Sequence, residues 1–165
     1  MVEVPTTLFC MEYPYVATDT DLGDGDGDTE PGTPIAGTPT LRPCLTIELK
    51  GPTGQKLDLP IPALLDSGAD SSVFPIELAE LLGVSLPKCR KEAFDSADGD
   101  GTEFVWDEPL TATFDGQTVK LTAAFADTPI ALLGRDDFFV HYLVTINQRD
   151  RNFILQAQPG KGEET

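Results

Sequence analysis

Ala63-Leu64-Leu65-Asp66-Ser67-Gly68-Ala69-Asp70-Ser71-Ser72-Val73 runs an apolar strand straight into a carboxylate, a hydroxyl and two small residues. That order delivers Asp66 from the buried end of a strand into a tight turn, where Gly68 allows close backbone approach and Ser67 reaches nearby backbone groups. A carboxylate placed in this way is poised rather than solvated. By itself, Asp-Ser-Gly is also ordinary turn chemistry after a strand. Downstream, Ile130-Ala131-Leu132-Leu133-Gly134-Arg135-Asp136 is a second apolar strand, ending in Gly-Arg-Asp at the start of a helix. Taken singly, it is a strand-to-helix junction with Arg135 exposed.

The flanking sequence supplies strands. LTIELK (45–50), the turn-rich GPTGQ and KLDLPIPALL (56–65) have the pattern of a β-hairpin. Pro75 to Leu82 reads as a short helix, with Pro75 in its first turn and Gly83 just past its end. Asp95 to Gly101, DSADGDG, carries the turn dipeptides Asp98-Gly99 and Asp100-Gly101 and separates two runs able to pair, so a mobile hairpin tip is expected. PLTATF, Asp115-Gly116 and TVKLTAAF give the clearest hairpin signal. After IALL (130–133) come a short helix from about Arg135 and a last hairpin, YLVTI, NQRD, RNFILQ. Near the start, Leu8 to Val16 alternates Phe9, Met11, Tyr13 and Tyr15, the period of a half-buried strand. The stretch Asp19 to Thr40, rich in Asp, Gly, Thr and Pro, buries too little apolar surface to be more than a loop. The expected division is therefore 1–40 (strand plus acidic loop), 41–157 (the compact domain) and 158–165 (a frayed, disordered tail), in a mostly β class with one or two short helices.

With 165 residues there is room for one ordinary domain. Eleven Lys and Arg against 28 Asp and Glu give a net charge of −17, which repels phosphate backbones and anionic lipids, so neither a nucleic acid nor a membrane is an expected partner. No apolar stretch approaches the roughly twenty residues of a membrane span. The first 41 residues hold eight acidic and no basic residues, which disfavours a secretory leader. Cys10, Cys44 and Cys89 are odd in number and widely spaced; reduced thiols in a cytoplasmic protein fit best. The sole histidine, His141, argues against most metal sites, and its simplest role is a partly exposed ring beside an aromatic cluster. An EF-hand loop starting at Asp24 would need Gly and Glu where Thr29 and Ile35 stand, so no metal and no cofactor is expected. Ser67 as a nucleophile lacks the G-x-S-x-G elbow.

LLDSGADSSVFP (64–75) followed by LLGRDDFF (132–139) closely resembles the retropepsin-like aspartic proteases, especially their bacterial single-domain members, from about Leu41 to Gln156. The resemblance implies a single-domain fold, a closed β-barrel-like lobe with one or two short helices and a flap hairpin. It also implies that Asp66 is catalytic and that Ser67, Gly68, Ala69, Asp70, Gly134 and Arg135 support the active-site loop, with Arg135 pairing with Asp70. The glycine-rich flap would correspond to about Ala93 to Val105, with Asp98, Gly99, Asp100 and Gly101 near its tip. An acidic tip departs from the small, apolar tip usual in the family, and a solvated turn away from the site is the other reading.

Hydrolysing an amide with carboxylates alone takes two of them sharing a site, because like charges about 3 Å apart cannot both ionise, so one stays protonated and the other becomes a base. One chain supplies one Asp-Ser-Gly, so the resemblance implies a homodimer acting on a peptide or protein substrate. The alternative is a retropepsin-like module that dimerises or binds peptides without cutting them.

Overall fold

The computed structural model describes residues 10–18, 40–96 and 99–159. Twelve strands are seen there: β1 (Cys10–Pro14), β2 (Val16–Thr18), β3 (Thr40–Arg42), β4 (Cys44–Lys50), β5 (Ile61–Leu65), β6 (Phe74–Pro75), β7 (Arg90–Ser96), β8 (Gly99–Phe114), β9 (Gln117–Ala126), β10 (Ala131–Leu133), β11 (Tyr142–Asn147) and β12 (Asn152–Ala157). Two short helices join them, α1 (Leu78–Leu81) and α2 (Arg135–Phe139), the latter a single wide, π-type turn. The mostly β class is as expected.

Alternation builds the main sheet. In β4, Leu45, Ile47 and Leu49 are buried while Thr46, Glu48 and Lys50 face outward, the period of a strand with one wet face. The strands run in the order β10-β5-β4-β8-β9-β6, with β7 added to β8. Most pairs are antiparallel, whereas β10 with β5 and β6 with β9 are parallel. The sheet curls until its ends meet: Val73, just before β6, bridges Leu132 of β10. The Val73 N–H donates to the Leu132 carbonyl at 3.0 Å, and the Leu132 N–H donates back at 2.8 Å. One bridge thus closes the β lobe.

The Asp-Gly signal at 115–116 is read correctly. Asp115 and Gly116 both have positive φ, 43° and 73°, as a two-residue hairpin turn between right-twisted strands requires. Below the lobe lies a second sheet, β1-β12-β11. Phe153 and Leu155 of β12 are fully buried against the body, and Tyr13 of β1 stacks on Phe153 at 5.2 Å. The Tyr13 hydroxyl donates to Asp115 Oδ2 at 2.7 Å, so the N-terminal strand is tied to the β8–β9 turn. Burial and that carboxylate together raise the Tyr13 pKa. The expected strand at Leu8 to Val16 is found from Cys10, while Leu8 and Phe9, like the loop 19–39 and the tail 160–165, lie outside the described residues.

The helix expected over Pro75 to Leu82 is shorter, only Leu78–Leu81. Phe74 and Pro75 pair with Phe125 and Ala126 of β9, and the Ile76 N–H donates to Ala126, so these residues give their backbone to the sheet. Gly83, in left-handed backbone at φ 74°, ends the helix as expected.

Phe114, Phe138 and Tyr142 interlock at centroid distances of 5.0 to 6.0 Å and join the lobe, α2 and the second sheet. Phe138 has no exposed surface. Phe138→Ala is expected to lower unfolding free energy by about 3–5 kcal/mol, whereas truncating the exposed Leu59 changes it by less than about 0.5 kcal/mol; urea denaturation measures both.

Candidate active site

β5 ends at Leu65, and the chain then turns sharply. The Asp66 N–H donates to the Leu133 carbonyl of β10 at 3.1 Å, and the Asp66 carbonyl accepts from the Ala69 N–H at 3.2 Å. Its own carboxylate folds back over the turn: Oδ1 accepts from the Gly68 N–H at 2.9 Å. Asp66 is half-buried, while Ser67 and Gly68 are exposed. The carboxylate is therefore held at the surface of a turn anchored on both flanks by strand ends.

The two expected segments meet. The Arg135 N–H donates to the Ala69 carbonyl at 3.0 Å, and the Asp136 N–H to the Asp70 carbonyl at 2.8 Å. Arg135 also forms an ion pair with Asp70 through its side chain. Both side chains are more than half exposed, 54% and 76%, so the pair is worth only about 0–1 kcal/mol. Gly134 is buried, and a Cβ there would overlap the Ser71 backbone; only glycine lets the strands approach so closely.

A residue the sequence reading passed over ties these segments together. Asp137, in the first turn of α2, accepts from the Ser72 N–H at 3.1 Å and from the Ser72 hydroxyl at 2.8 Å. Its Oδ2 also accepts from the Thr122 N–H of β9 at 2.8 Å. Ser72 is fully buried, and its Oγ accepts from the Gly134 N–H at 3.1 Å. One carboxylate thus joins the loop after Asp66, the β10–α2 junction and β9. The only sequence signal was the acidic pair Asp136-Asp137, which does not itself tell which carboxylate turns inward.

β7 and β8 form the expected hairpin, and Glu92–Ser96 with Gly99–Glu103 pair only with each other, beyond the β8–β9 contact. Gly99, Asp100 and Gly101 lie in it; Asp98 lies outside the described residues. Phe94 covers Gly101 so closely that a Cβ would overlap its ring. Two like-charged pairs stand directly across the hairpin, Glu92 with Glu103 and Asp95 with Asp100. Burial first, and then Glu92, raise the Glu103 pKa. Arg90 bonds Asp107 at 3.1 Å and pairs with Glu92, offsetting part of that repulsion.

Among the described residues, no group of three His, Cys, Asp or Glu side chains is placed to hold a metal ion. Cys10, Cys44 and Cys89 are free thiols, and burial pushes Cys44 up to about 11. His141 is exposed, next to the buried Tyr142. No described helix is long and apolar enough to cross a membrane.

No family model matches the chain, and no curated protein matches it by sequence. Among solved structures, it is similar to a retropepsin-like aspartic protease from Rickettsia conorii, at TM-score 0.50 and 19% identity over 68% of this chain and 89% of that one. It also aligns with EIAV protease complexed with the inhibitor HBY-793, at TM-score 0.41 and 27% identity over 58% of this chain and 83% of that one. The fold is retropepsin-like.

Asp137→Ala leaves the Ser72 and Thr122 amides without their acceptor and is expected to cost about 1–3 kcal/mol, with faster hydrogen exchange at both amides; Asp136→Ala, at an exposed position, should stay within about 0.5 kcal/mol. For Glu103, a native pKa above the ordinary Glu value means that its protonated form favours the paired hairpin. That stabilisation is complete below the unfolded pKa and fades as pH rises through the raised native one. Protection factors of the 92–103 amides should therefore fall from acid to neutral pH, and Glu103→Gln should flatten the dependence.

Proposed function

We propose that this chain is an aspartic endopeptidase, hydrolysing peptide bonds between the Asp66 carboxylates of two identical copies. The observation that carries the reading is the way Asp66 is held: at the open side of a turn whose neighbours Ser67 and Gly68 are exposed, on a loop pinned to β10 and α2. Such a carboxylate is fixed in position yet able to meet its twin across a twofold axis.

The two carboxylates share one proton. The ionised one takes a proton from a bound water, the protonated one polarises the scissile carbonyl, and the proton then passes to the leaving amine. Water attacks directly, so no covalent intermediate forms and no metal is required. The exposed Ser67 hydroxyls hold the two loops in register across the axis. Gly68 and Ala69 keep the turn tight enough for the carboxylates to approach, and Gly134, Arg135 and Asp70 support the loop from behind. The β7–β8 hairpin, with Gly99, Asp100 and Gly101 near its tip, is the lid, and its negative charge disfavours anionic peptides. Residues 41–157 form the catalytic domain. Three free thiols suit a reducing compartment, the cytoplasm.

Asp66→Asn should abolish cleavage of a peptide library while leaving folding and dimerisation intact, as mass spectrometry and sedimentation would show; a module that only binds would keep its binding unchanged. A charge of −17 per copy opposes association and is screened by salt. Dimer fraction and activity should therefore rise together with ionic strength, and sedimentation that is identical at low and high salt would contradict the reading.

A further inference from the structure

Three of the chain's six lysines stand in one row on the wet face of the main sheet. Lys56 bridges Lys50, Lys50 pairs with Thr111, and Thr111 pairs with Lys120. Paired residues share a face, and at the usual strand spacing the row crosses about 14 Å, so lysine side chains from both ends reach its middle. Lys120 already leans inward, its Nζ donating to Thr111 Oγ1 at 2.7 Å. Lys50, Lys56 and Thr111 line a groove of about 310 Å³, with Leu57 and Pro60 as its apolar wall.

Like charges directly opposite each other destabilise a ladder, yet Lys50 and Lys56 are such a pair. The chain has 28 acidic residues, and none forms an ion pair with Lys50, Lys56 or Lys120 among the described residues. Even Glu48 and Asp58, which line the same groove, do not. Thr111 is only 9% exposed; its oxygen accepts from Lys120, which leaves its O–H free to donate. Thr113 and Thr118, paired with each other in the next row, bring two more hydroxyls to the groove.

We propose that this row binds a phosphate group, the dianion of a small phosphate monoester. The donors select it. Three ammonium groups and three hydroxyls surround one point, and a phosphate monoester answers them with three acceptor oxygens and nearly two negative charges, whereas a carboxylate brings two oxygens and one charge. The volume lies at the small end of ligand sites, and Leu57 and Pro60 receive the organic part. Glu48, opposite Thr113, and Asp58 repel any second phosphate, so an extended polyanion is rejected where a single dianion is held. The site is separate from the candidate active site. Leu65, the residue before Asp66, is bonded to Pro43 at the start of β4, whereas Lys50 ends that strand about 20 Å further on.

Titration of the full chain with phenyl phosphate, followed by amide NMR and calorimetry, tests the site. Saturable shifts are expected at Lys50, Lys56, Thr111 and Lys120. Lys50→Gln and Lys56→Gln, both at exposed positions, should each weaken Kd about tenfold by removing a charge-assisted bond. Inorganic phosphate separates the two sources of the group: weaker binding than phenyl phosphate supports the ester, and equal or tighter binding would overturn it in favour of the free ion. Benzoate bound as tightly as phenyl phosphate, or a Glu-rich peptide that displaces it at lower concentration, would overturn the phosphate assignment. No saturable shift at millimolar phenyl phosphate, or a Kd unchanged by both glutamines, would overturn the site itself. Asp66→Asn should bind phenyl phosphate like the wild type, so a failure here leaves the protease reading standing, and loss of that reading leaves the site.

Discussion

The Asp137 carboxylate is the constraint on which the arrangement around Asp66 depends. The lobe closes through a single bridge, Val73 to Leu132, and the chain between β5 and that bridge is the loop carrying Asp66. A loop at the closing point of a curled sheet has few ladder bonds to hold it. Asp137 supplies what the ladder lacks, taking the Ser72 amide and hydroxyl on one side and the Thr122 amide on the other. Hydrogen bonds to an ionised acceptor are stronger than neutral ones, and here they join three elements at one point. Gly134 completes the arrangement, because without a Cβ it lets the β10 end press against Ser71 and donate to the Ser72 hydroxyl.

This shifts weight away from the more visible ion pair. Arg135 and Asp70 do meet, but in solvent, where screening and side-chain entropy leave little net gain. The backbone bonds beside them, Arg135 to Ala69 and Asp136 to Asp70, need no side chain at all. The loop is thus fixed mainly by backbone geometry and one partly buried carboxylate, and the charged pair lies over that framework.

Much of this was legible in one dimension because it is local. Asp115-Gly116 specifies a turn through two positive φ angles, and β4 and β12 announce their buried faces by alternation. The encounter of the Asp66 and Arg135 segments was legible through the family resemblance rather than through pattern. What escaped was set by contacts distant in sequence. Pro75 looks like a helix start until β9 takes the backbone of its neighbours. Asp137 looks like a second solvated acid beside Asp136, because the turn that aims it at Ser72 is the wide one of α2. The registry of β1 with β12 joins the two ends of the described chain, and no local pattern encodes it.

Charge placement separates the two exposed devices of the molecule. The β7–β8 hairpin concentrates like charges directly across from each other, Glu92 with Glu103 and Asp95 with Asp100, where each pair weakens the hairpin that holds it. β11 keeps its edge free of charge in a chain with 28 acidic residues. Like charges thus face each other across the hairpin, whereas the β11 edge carries none. β11 is backed by β12, whose Phe153 and Leu155 are fully buried. The hairpin has no comparable backing past Glu103, since β9 stops pairing with β8 at Phe104. The same sheet physics therefore yields a two-stranded arm at one end of β8 and a backed edge at β11, with the like-charged pairs on the arm.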